Sequence, residues 1–142
     1  MTTQSRFSVA ARLLFGGIAL SAAVLTSYNV QAASAQPPVP QGVPMKSWQD
    51  NGHNGLYVLQ PFKGQLAKGE KRVVGTVVSD ADCDIDAEGL SHCHNDIQLP
   101  GGRTITVINT HNMHVNRCLG GGDRIELSRL GNTWIVGNLL TK

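Results

Sequence analysis

The chain has 142 residues, 41% of them hydrophobic, and a formal net charge of +2. Arg6 and Arg12 carry that excess within a segment read below as removable, so the remainder balances its charges and does not suit nonspecific binding to phosphate polymers. What is left after that segment is about 107–110 residues, the length of one small domain.

Met1 to Arg12 is basic and lacks acids, and Leu13 to Leu25 (LLFGGIALSAAVL) is apolar with many small residues. The run is shorter than the roughly 20 apolar residues a membrane span needs. Val30-Gln31-Ala32 and Ala33-Ser34-Ala35 both present small residues to a signal peptidase. Residues 1–35 are therefore expected to be a secretory signal peptide, cut after Ala32 or Ala35, with no stable membrane span afterwards. The expected location is periplasmic or secreted, where cysteines tend to pair.

Residues 36–62 are expected to form an extended leader and a turn-rich cap. The leader is rich in Pro, and Asn51-Gly52 and Asn54-Gly55 mark tight turns. Leu56 to Leu59 reads either as a short strand or as part of the cap. Residues 63–142 read as β-structure, with strands expected over 72–79, 90–99, 103–110, 123–129 and 133–140 and no sustained helical periodicity. Gly75 within the first of these suggests a bulge or a sharp bend.

Leu99-Pro100-Gly101-Gly102-Arg103 sets a register. A three-residue hairpin loop, a type I turn followed by a left-handed residue, uses Pro100 and Gly102 and pairs Leu99 with Arg103. Ile97, Leu99, Ile105 and Val107 then share one face, because a one-residue slip would mix apolar and polar sets. His92 and His94 point outward together, while Cys93 and His111 point inward.

Three cysteines allow one disulfide and one leftover thiol. Cys93–Cys118 is the first expectation and Cys83–Cys93 the second. A metal reading draws on His92, His94, His111, Met113, His114 and Cys118 as ligands for copper or zinc. Neither histidine-containing segment has zinc-finger spacing. Asp82-x-Asp84-x-Asp86 does not make an EF-hand, since the sixth and twelfth positions hold Ala87 and Cys93. No phosphate-loop or dinucleotide motif is present.

The phrases RVVGTVVS, DIQLPGGRTITVIN and LGGGDRIELSRL resemble those of small exported bacterial OB-fold proteins. The resemblance implies an all-β fold, a small five-stranded OB-like partly open barrel with an irregular N-terminal segment. It further implies a ligand face on the second and third strands, at positions held here by His92, His94, Asp96, Thr104, Thr106 and Thr110. The ligand face is expected to include the acidic 80–89 loop, whose acids at 80, 82, 84, 86 and 88 disfavour nucleic acid, as does the lack of aromatic residues between 63 and 133. The expected function is an exported binding module without catalytic activity. Its ligand would be a small molecule, a cation or an exported protein. A periplasmic copper- or zinc-binding protein and a small thiol enzyme are the alternatives.

Overall fold

The computed structural model describes residues 36–141. The expected signal peptide and both cleavage sites lie outside them. The fold is all-β, with six strands: β1 (Leu56–Lys63), β2 (Val73–Ile85), β3 (Ser91–Gln98), β4 (Thr104–His111), β5 (Arg124–Leu130) and β6 (Trp134–Thr141). They follow one another around a closed ring in the order β1-β4-β3-β2-β5-β6, every neighbouring pair antiparallel. Register shifts in β1, β2 and β5–β6 keep the ring from being a regular barrel.

The ring differs from the five-stranded, partly open expectation by one strand. Five strands would leave β4 and β6 as facing edges with unpaired backbone groups. β1 fills that gap, pairing Leu59 with Asn109 of β4 and Val58 with Val136 of β6. Leu56 to Leu59 therefore belongs to a strand. The reason is visible in the burial: Tyr57, Val58 and Leu59 are all completely buried. Three consecutive buried residues do not alternate, so the period that betrays a half-exposed strand is missing here.

The β3–β4 hairpin has the register that its turn implies. Ile97 faces Ile105, Asn95 faces Val107, Cys93 faces Asn109 and Ser91 faces His111, and the Leu99 N–H donates to Arg103 O at 2.7 Å. The turn itself is of a different type from the one expected. Gly101 has φ 77° and ψ 11°, and the Gly102 N–H donates back to Leu99 O at 3.3 Å. That is a type II turn with proline then glycine at its centre, and Gly102 follows it with φ 80°.

Gly75 marks a close approach and not a bulge. A Cβ there would lie 2.6 Å from Ile97 Cγ2, and the residue pairs regularly with Ile125. The bulges of β2 come later, between Val77 and Ser79 and between Ala81 and Asp84. The expected strand over 72–79 thus continues to Ile85, and most of the segment read as an acidic loop is strand.

Two clusters fill the structure. The larger lies inside the ring and includes Tyr57, Leu59, Val77, Ile97, Leu99, Ile105, Val107, Ile125, Leu127 and Ile135, with Leu119 entering from the 112–123 segment. The smaller lies on the outside of β1 and gathers Trp48, Val58 and Leu90 with Val39, Val43, Met45 and Trp134. Residues 36–55 are held there by hydrogen bonds as well. Trp48 Nε1 donates to Pro37 O at 2.7 Å. Buried Asn51 accepts from the Val58 N–H and donates to Val58 O and Thr110 O.

Candidate functional site

The outer face of β3 and β4 carries His92, His94, Asp96, Thr104, Thr106 and Thr110, as the alternation requires. Thr104 is exposed, Thr110 is 8% exposed, and the others are intermediate. His92, His94 and Thr110 line a cleft of about 510 Å³ together with Gln36, Pro37, Trp48, Gln60, Asp82, Asp84, Asp86, Ile108 and Trp134. Asp96, Thr104 and Thr106 are not among its lining residues. Asp96 instead accepts from the Thr106 hydroxyl at 2.6 Å.

Around the hairpin, the cleft is walled by β2 and the residue after it, by the N-terminal segment, and by Gln60 of β1 and Trp134 of β6. The extension of β2 brings Asp82 and Asp84 alongside β3, where Ala81 pairs with His94 and Asp84 with His92. The bulge between them places two β2 residues against one β3 residue, and Asp82 takes up the extra length with φ 51°. The N-terminal segment supplies Gln36, Pro37 and Trp48.

His92 is engaged at both ring nitrogens. Nε2 lies 2.9 Å from Asp86 Oδ2, and Nδ1 lies 3.0 Å from Thr110 Oγ1. Gln36 Nε2 donates to the same Asp86 oxygen at 2.5 Å. Partial burial pushes the Asp86 carboxyl upward, but hydrogen bonds from His92 and from the Leu90 and Glu88 N–H groups outweigh it and leave the group below the usual carboxylate range. His94 is stacked on Phe62 with ring centroids 4.7 Å apart, and its Nδ1 is 3.6 Å from Asp82 Oδ2.

Aromatic residues missing from the 63–133 stretch arrive from outside it. Phe62 comes from β1, Trp134 from β6 and Trp48 from the cap, the two indoles 5.3 Å apart between ring centroids. The aromatic part of the sequence argument against base stacking therefore does not hold for this face. Among the described residues lining the cleft there are three aspartates and no lysine or arginine.

The inner face of the same hairpin has its own chemistry. Cys93 is bonded to Cys83 and not to Cys118. The first pairing expected from the sequence treated residues 80–89 as a loop. With β2 extended, Cys83 sits in the bulge directly across from Cys93 and is the nearer partner. Cys118 is the free thiol, and its Sγ lies 3.2 Å from Nε2 of completely buried His111. Burial pushes the Cys118 thiol up and holds the His111 imidazole below its ordinary value.

The six residues of the metal reading are thus divided. His92 and His94 are outside, His111 and Cys118 are together inside, and Met113 and His114 are exposed in the turn that follows β4. Among the described residues, three potential ligand atoms do converge elsewhere: those of Asp80, Cys83 and Cys93 lie within 4.8 Å of one another. No helix among the described residues is long and apolar enough to cross a membrane. Compared with protein-family models, curated proteins and solved structures, the chain matches none of them, and the geometry alone carries the functional reading.

Proposed function

We propose that the chain is an exported binding module without catalytic activity, and that its ligand is a cationic group held in the outer cleft of the β3–β4 hairpin. The observation that carries this is the cleft's lining: Asp82, Asp84 and Asp86 beside Trp48 and Trp134, with two histidines and no lysine or arginine among the described lining residues. Carboxylates attract a cation over a distance, and indole faces hold it at contact. A lysine-bearing peptide of an exported partner or a small organic cation meets both demands.

The alternatives draw less support. Copper or zinc on the outer face requires His92 to release Asp86 or Thr110. A thiol enzyme requires a thiolate, and burial together with the charge of Asp80 pushes the Cys118 thiol up, against that form. The disulfide fits an oxidising compartment and so fits export.

The chain's two tryptophans both line the cleft, so intrinsic fluorescence reports on it directly. Titration with a short lysine-rich peptide is expected to change the emission saturably. Binding is expected to weaken with salt, and about twofold to fivefold in Asp84→Asn, of the order of a single exposed charge contact. A flat titration, or a response to a neutral oligosaccharide equal to that of the peptide, rejects a cationic ligand.

A further inference from the structure

The inward positions at the open end of the β3–β4 hairpin do not belong to the cleft. Ser91, Cys93 and Asn95 of β3 and Asn109 and His111 of β4 point into the ring and are each completely buried. Cys93 and His111 are diagonal neighbours on this face, within reach of one another's side chains. Three polar atoms there have no hydrogen-bond partner: Ser91 Oγ, Asn95 Oδ1 and Asn109 Nδ2. Buried polar atoms without partners are uncommon, and a group of them is a reason to look for a bound species.

The potential ligands form two neighbouring groups, Asp80 with Cys83 and Cys93 within 4.8 Å of one another and His111 with Cys118, and among the described residues no single group of that span holds all of them. Cys83 and Cys93 are close enough to be bonded, and both lie beside the Asp80 carboxylate. Asn95 ties the third cysteine's segment to the same spot. Its Nδ2 donates to Asp80 Oδ1 at 2.9 Å and to Leu119 O at 3.4 Å, and Leu119 follows Cys118. The His111 Nε2 to Cys118 Sγ separation is 3.2 Å, against about 3.5 Å for an imidazole and a thiolate on one tetrahedral zinc. The charge of Asp80 is felt by both Cys118 and His111. His111 Nδ1 faces the Asn109 carbonyl at 3.4 Å, an arrangement that leaves the Nε2 lone pair for a metal.

We propose that, once the Cys83–Cys93 disulfide is reduced, Cys83, Cys93, Cys118 and His111 form a tetrahedral zinc site at the polar end of the ring, with exposed Asp80 at its mouth. Reduction by a dithiol gives both sulfurs back as thiols, and the dithiol leaves as its own disulfide. Zinc then displaces one proton from each of the three cysteines and takes the lone pair of His111 Nε2. Zn²⁺ is favoured over Cu⁺ by charge: three thiolates leave a net −1 with zinc and −2 with copper, beside an acid already present. The disulfide and the ion exclude each other, so the state of one bond decides whether metal binds.

The full chain is reduced with a dithiol, freed of it under anaerobic conditions, and titrated with zinc against a chromophoric chelator, with the oxidised chain in parallel. One zinc per reduced chain and none per oxidised chain is expected. Cys118→Ser and His111→Gln are each expected to weaken binding at least tenfold, and His92→Ala/His94→Ala to leave it unchanged. No stoichiometric zinc in the reduced chain, indifference to both inner substitutions, or loss of zinc in the outer pair overturns the proposal. If a variant fails to fold, cobalt(II) in the unaltered reduced chain decides. A tetrahedral spectrum with charge transfer from three thiolates supports the site, and fewer thiolates or octahedral cobalt rejects it. Failure here leaves the cleft untouched, since the two lie on opposite faces of β3.

Discussion

Near the Pro100 turn, the inward positions of the β3–β4 hairpin are Ile97, Leu99, Ile105 and Val107, none more than 3% exposed. At the other end of the same two strands the inward positions are Ser91, Cys93, Asn95, Asn109 and His111, all at 0%. Burial is equal and chemistry is opposite. Each aliphatic side chain in the first group contributes about 1.5–3 kcal/mol by leaving water. In the second group each polar atom must be given a partner merely to break even, and one left without costs about 1–3 kcal/mol. One end of the ring holds the fold together. The other is kept polar at a cost in stability, and a cost of that kind is how functional sites are commonly recognised.

Three perturbations sharpen the contrast. The largest effect is expected from Ile97→Ala, which opens a cavity in the apolar end and is expected to cost about 4 kcal/mol in denaturant unfolding. Asn51→Ala strikes the polar end. It removes the side chain that satisfies the Val58 N–H and the carbonyls of Val58 and Thr110, and about 3 kcal/mol is expected from those three groups. A loss under about 1 kcal/mol would mean that water replaces the side chain and that the polar end is wet.

The smallest effect is one of pH. His111 has a lowered pKa because burial disfavours its charged form, although the Asn109 carbonyl and Asp80 pull the other way. The unfolded chain takes up this proton near pH 6.5, and the folded chain only at lower pH. Stability is therefore complete above about pH 6.5 and drains away as the pH falls from there to the folded value. Unfolding midpoints at a series of pH values are expected to show this slope in the parent chain and a shallower one in His111→Gln. An unchanged slope would place the titration elsewhere.

The parts of this molecule legible in its sequence are those where a rule operates over a few neighbours. Pro100 and the glycines after it, with alternation on either side, suffice to pair Ile97 with Ile105 and to send His92 outward and Cys93 inward. Strands β3 to β6 lie within one residue of their expected bounds for the same reason. What was not legible depends on partners distant along the chain. β1 hides because both of its faces are buried over Tyr57 to Leu59. The run of acids after Ser79 looks like a solvated loop, and only pairing with β3 makes it a strand. The disulfide follows from that pairing, so an error over β2 becomes an error over Cys118. The cleft's tryptophans come from residues 48 and 134, a separation that no local pattern spans.

The strand that closes the ring has a consequence in time. Among the described strands β1 leaves the ribosome first and β6 last, and they are neighbours, with Leu56 beside Asn138. The nascent chain can form the β2–β3–β4 meander early, but β1 has only one of its two flanking strands until residues 134–141 emerge. Folding dominated by such distant pairings is slow.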